Sequence, residues 1–177
     1  MSVTRAQKVT LPQPVALRLE IARAGGLSKE ALLGAIREKR IDALQRFGPE
    51  QLSWDILSEY ADEYPDDLER AIREGYAFKF LTIRGLISYL GYRFGLHEKA
   101  DYRLVEEGLE GVRLEQSDIA LLKETIPAFW LITETGAQAE EAIVEQRSAN
   151  HPDLNKVTIR IERVHYHVNR FEGGDTK

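Results

Sequence analysis

Gly75–Leu96 reads GYAFKFLTIRGLISYLGYRFGL and holds six of the chain's fifteen aromatic side chains. How this stretch divides decides the fold. From Thr82 onward, Ile83, Leu86, Ile87, Leu90 and Phe94 recur at i, i+3, i+4, i+7 and i+11, the spacing of one buried helix face. Gly95 supplies a stop. Arg84, Ser88, Tyr89 and Tyr92 fall on the other side. The reading is a helix with one face in the core and a second face rich in tyrosine and arginine. These residue types are enriched where proteins meet. Arg84, Tyr89, Tyr92 and Arg93 are therefore expected to form a partner-binding face. Lys79, Arg84 and Arg93 interrupt the apolar run, so it is no membrane span.

Toward the N-terminus the pattern stays helical. Pro65 opens a short helix with Asp66, Asp67 and Glu69 in its first turn, where the helix dipole favours negative charge. Trp54, Ile56, Leu57 and Tyr60 give one apolar side to a helix read as starting at Gly48-Pro49. Ser28 is an expected N-cap, with Glu30 in the turn that follows. Leu32, Leu33, Ile36, Ala43, Leu44 and Phe47 then share one side. Arg40 falls inside that arc, so either it snorkels to solvent or the helix breaks near Ile41-Asp42. Residues 9–21 are ambiguous. Val15, Leu17, Leu19 and Ile21 alternate with Arg18 and Glu20, which favours a strand, with Pro12 and Pro14 placing it at an edge. A helix from Pro14 to Gly25-Gly26 is the competing reading.

Toward the C-terminus the pattern becomes mixed. Gly111–Leu114 reads as a short strand. Ser117 is a candidate cap for a helix over residues 118–125, broken by Pro127. Residues 129–133 form a continuous apolar run, as in a strand covered on both faces. A helix is expected over 137–147. Residues 157–171 read as a strand whose alternation slips near Glu162-Arg163, where a bulge would restore it. The expected fold is α+β. A helical half, about residues 28–96, combines with a small mixed sheet from strands near 9–21, 112–114, 129–133 and 157–171. The chain is one domain, or two packed subdomains over 28–96 and 97–177.

The 177 residues can bury a core without disulfide or metal staples. The absence of cysteine excludes a thiol nucleophile and cysteine metal ligands. The start, Met1-Ser-Val-Thr-Arg, carries no apolar leader, and a cytoplasmic protein is expected. Net charge is −5, all of it in residues 91–177; residues 1–90 balance. A nucleic-acid-binding domain usually carries a basic excess.

Three constellations bear on chemistry. Arg37, Lys39, Arg40 and Arg46 form a basic cluster that could meet phosphates, with Tyr89 or Tyr92 stacking on bases, although Glu38 and Asp42 interleave. His165-Tyr-His167 would put two imidazoles on one strand face, about 7 Å apart at Cα. Such a pair suits a transition metal if His97, Glu98, His151 or Asp153 supplies a third ligand. If Val164, Tyr166 and Val168 face the core, both histidines face solvent instead. Thr133–Gly136 has a strand–turn–helix form, but Glu134, Glu140 and Glu141 oppose an anion there. No glycine-rich dinucleotide or phosphate loop occurs, and no serine sits in a nucleophile elbow. No cofactor is implied.

The expectation is a non-enzymatic cytoplasmic regulatory or adaptor protein. It would bind another protein, or a second copy of itself, through the helical half. The alternatives are nucleic-acid binding through the basic cluster, and a metal-dependent enzyme centred on His165 and His167.

Overall fold

A computed structural model describes residues 8–135 and 156–164. The chain enters through a three-residue strand, β1 (Val9–Leu11), and turns at Pro12 into helix α1 (Gln13–Ala24). The strand expected over 9–21 is therefore confined to its first three described residues. The alternation that suggested it is incidental. Val15, Ala16, Leu19 and Ala22 are buried at i, i+1, i+4 and i+7, a helical arc, and Leu17 is only half-buried. Pro14 sits in the first turn, where its missing N–H costs nothing. Gly26, at φ +85°, ends α1, and the Leu27 and Gly26 amides close on the Ala22 and Arg23 carbonyls.

Helix α2 (Lys29–Arg37) starts where its cap predicts: the Ser28 hydroxyl accepts from the Ala31 amide at 3.1 Å. It stops at Glu38, and the chain resumes as a 3-10 turn over Ile41–Leu44. Arg40 lies exposed in the break. Gly48-Pro49 leads into a turn rather than a helix. Helix α3 (Asp55–Glu63) begins later, with the Ser53 hydroxyl accepting from the Asp55 amide. Pro65 does open the next helix, α4 (Pro65–Glu74). A second strand absent from the sequence reading follows, β2 (Tyr76–Phe78). It pairs in parallel with β1, Val9 opposite Tyr76 and Leu11 opposite Phe78.

Helix α5 (Ile83–Phe94) is capped by Thr82, whose hydroxyl accepts from the Gly85 amide at 3.0 Å, and is stopped by Gly95. Its buried face is rotated from the expected one. Gly85, Leu86, Tyr89 and Leu90 point inward, while Ile83, Ile87 and Phe94 are half-buried. Tyr89 thus belongs to the core, stacked edge-on against Phe78 at 5.2 Å and Phe94 at 5.8 Å.

The rest of the described chain builds a four-stranded antiparallel sheet in the order β3 (Arg103–Val105), β4 (Gly108–Glu115), β6 (Lys156–Arg163), β5 (Trp130–Glu134). Helix α6 (Gln116–Thr125) leaves β4 directly, with Glu115 rather than Ser117 in the cap position. One expectation for this half needs correction. Residues 130–134 form an edge strand, with Trp130 buried and Leu131 47% exposed, not a strand covered on both faces. The described ladder has a register shift in β4, between Leu109 and Val112, while the slip expected after Glu162-Arg163 depends on residues outside the described ones. The strand expected to continue to residue 171 is described only to Arg163, and the helix expected over 137–147 lies outside the described residues.

The inner face of the sheet carries Leu109, Val112, Leu114, Ile159, Ile161 and Trp130, all buried. Its outer face carries a charged ladder: Arg160 bridges Glu110 at 3.1 Å and Glu162 at 2.9 Å, and Arg103 reaches Glu110 at 3.5 Å. The inner face packs into the same continuous cluster as the helices. Trp130 ties the two parts together, its indole N–H donating to the Leu81 carbonyl at 3.0 Å.

Candidate functional site

The four residues expected to form a partner-binding face do not share one surface. Arg84 is exposed at the start of α5 and Tyr92 is half-buried. Tyr89 is fully buried. Arg93 turns inward as well, its side chain 26% exposed and 3.5 Å from the carboxylate of Glu20 on α1. A helix with two outward tyrosines was expected; α5 shows its outer side through Arg84 and, in part, Tyr92.

The basic cluster is engaged with this chain's own groups. Arg37 pairs with Glu69, Lys39 with Asp62 at 2.9 Å, and Arg40 with Glu38 at 2.7 Å. Arg37 and Arg73 both hydrogen-bond Glu69, which holds its carboxyl below the usual range. Arg46 lies over the Phe47 ring at 4.9 Å. Such exposed pairs are weak, yet each of the four cations already has a partner in this chain. His165, His167, His151 and Asp153 lie outside the described residues, so the expected metal pair is not placed. His97 and Glu98 are exposed on the loop after α5. Among the described residues no group of three His, Cys, Asp or Glu side chains comes together to hold a metal ion.

An apolar groove that the sequence reading did not single out lies where the helical part meets the sheet. Its floor is Leu81 and Trp130, both buried, with Ile83 beside them. Phe80 and Leu104 form its walls, 50% and 47% exposed respectively. Phe129 supports Phe80 at a ring separation of 5.4 Å, and the Arg163 guanidinium lies 5.7 Å from the Phe129 ring. The cavity measures about 540 Å³. The rim is polar: Glu106 and Glu107 occupy the hairpin turn between β3 and β4, with Arg163 opposite. The Arg163 amide donates to the Glu107 carbonyl at 2.9 Å, so that turn is tied to the end of β6.

The local causes are visible. Phe80 stands between β2 and the Thr82 cap, outside any regular element, and has no buried face to join. Leu104 pairs with Leu109 across β3–β4 and points to the core side of the sheet. It sits on an edge strand that overhangs the core, so half of it stays in water. An aromatic without periodic partners, in the Lys79-Phe80-Leu81 segment, was the one sequence signal for this site. An apolar floor with a charged rim can hold apolar side chains by excluding water, at about 1.5–3 kcal/mol for each large side chain fully buried.

No described helix is long and apolar enough to cross a membrane. Compared with protein-family models, with curated proteins and with solved structures, the chain matches none.

Proposed function

We propose that this protein acts by binding, as a regulatory or adaptor protein. Its partner contributes a segment with one or two large apolar anchors and a basic flank. One observation carries the reading: Phe80 and Leu104 stand half-exposed over a buried Leu81–Trp130 floor. Large apolar side chains grouped around a concavity with a polar rim are the usual anatomy of an interaction site. Glu106 in the hairpin turn and the excess negative charge of residues 91–177 favour a basic flank. Against the sequence expectation, the binding face moves from the outer side of α5 to the junction between its first turn and the sheet. Nucleic-acid binding through Arg37, Lys39, Arg40 and Arg46 gains no support from side chains that are already ion-paired or stacked.

Selection from a displayed random-peptide library tests the reading. The wild-type protein should enrich peptides with an aromatic or leucine anchor beside lysine or arginine. Phe80→Ser should weaken them about thirtyfold, the factor of a hot spot worth about 2 kcal/mol. No enrichment, or peptides that bind Phe80→Ser as well as wild type, defeats it. Sedimentation velocity of wild type against the same variant reports whether the partner is a second copy.

A further inference from the structure

A second cavity shares no lining residue with the groove, and its chemistry is different. Glu20 is carried into the core by α1, its side chain 4% exposed. Two donors satisfy it: the Tyr76 hydroxyl at 2.6 Å and Arg23 Nε at 3.0 Å. Arg23 is otherwise committed, donating to the Tyr92 and Arg93 carbonyls at 2.8 and 3.1 Å. Arg93 is not. One of its nitrogens stands 3.5 Å from both Glu20 oxygens, too far for a strong charge-assisted hydrogen bond, and its remaining N–H groups have no described acceptor. Beside it the Tyr89 hydroxyl is fully buried, near Thr125 but with no hydrogen-bond partner of good geometry. The Thr125 hydroxyl donates to the Leu121 carbonyl instead.

Arg93 and Tyr89 line a cavity of about 260 Å³ whose other walls include Leu19, Leu27, Leu32 and Leu121. A buried donor without an acceptor is a standing cost, relieved when something accepts from it. Charge limits what that is. Arg23, Arg93 and Lys29 carry three positive charges against the two carboxylates of Glu20 and Glu74, which leaves a single positive charge. Size limits it too, since pockets for drug-sized molecules run from about 300 to 1,000 Å³. Lys8 is paired with Glu124, whereas the Lys29 ammonium donates to the neutral Arg73 carbonyl and keeps its charge, one of those three.

We propose that this cavity binds a small monocarboxylate, its two oxygens taken by the Arg93 guanidinium and the Tyr89 hydroxyl and its apolar part lying among the leucines. A dianion would face Glu20 with one negative charge unmatched, and a cation would face Arg93. Burial pushes the Tyr89 hydroxyl up to about 12, so it remains a donor throughout the neutral range. The site does not depend on the groove at Phe80, and either can fail without the other.

Titration calorimetry with acetate, butyrate and benzoate tests this, with inorganic phosphate and butylammonium as controls. Wild type should bind butyrate or benzoate saturably and neither control. Tyr89→Phe should weaken binding about tenfold or more, the usual effect of losing a hydrogen bond to a charged group. That variant keeps the ring and removes only an unpartnered hydroxyl, so without ligand it should melt no lower than wild type. Arg93→Gln should abolish binding. The proposal is overturned if no carboxylate binds saturably, if Tyr89→Phe binds as tightly as wild type, or if phosphate or butylammonium binds comparably.

Discussion

Lys39 occupies a position that a glycine would fill better. Its φ is +54°, and it closes α2 as Gly26 closes α1: the Lys39 and Arg40 amides return to the Ile36 and Ala35 carbonyls at 3.0 and 2.8 Å. A side chain in this left-handed conformation costs about 1–2 kcal/mol. The exposed Lys39–Asp62 pair returns little of it. Lys39→Gly should therefore stabilise the protein by about 1 kcal/mol, raising the melting temperature by about 2–4 °C, as a thermal denaturation curve would show. A wild-type-like or lower melting temperature would contradict this account of the helix end. The position also marks how legible single residues were. Ser28 and Gly95 act in the structure as the sequence implies, because each carries the chemistry of its role. Lys39 ends a helix without any such chemistry, and residues 38–40 accordingly read as part of a longer helix or as a break of unspecified form.

At the scale of elements, the sheet depends on one close approach. A Cβ on Gly108 would stand 1.9 Å from the Ile161 carbonyl oxygen, a backbone atom that cannot swing away. Gly108→Ala should force β4 and β6 apart beside the β3–β4 turn. A loss of about 1–3 kcal/mol, the common cost of overpacking, is expected in urea denaturation. Unchanged stability would mean that the hairpin relaxes freely. The strands themselves were unevenly visible. Residues 157–163 showed their alternation plainly, since one face is core and the other a charged ladder. The strands β2 and β3 are three residues each, too short to display a period. Helix α1 was misread for the opposite reason. It is buried around so much of its circumference that a period of two could be picked out of a period of 3.6.

Across the whole molecule, the two cavities were the least legible features. The groove joins the segment after β2, the β3–β4 hairpin and β5; the carboxylate site joins α1, α5 and α6. Neither set is close in sequence, and periodicity within one element carries no information about which elements meet. The buried tyrosines do give the fold a measurable signature. Burial raises Tyr76 well above its ordinary value, with Glu20 adding to the effect, and raises Tyr89 to about 12. In the unfolded chain both titrate near 10. Between those limits the folded state holds more protons than the unfolded one, so stability falls as pH rises. The melting temperature should be insensitive to these groups below pH 10 and should drop steadily from pH 10 toward 12. Tyr89→Phe should flatten part of that drop; a profile with the same slope in the variant would show that Tyr89 is not a source of it. The central place of β6 has a consequence during synthesis. Its neighbours β4 and β5 share no ladder with each other, and β6 is translated after both. On the ribosome the helices up to α5 can assemble first, while Leu109, Val112 and Ile132 wait for Ile159 and Ile161 to emerge. Through the interval between β5 and β6 those side chains lack their β6 partners, the period in which a chaperone would find them.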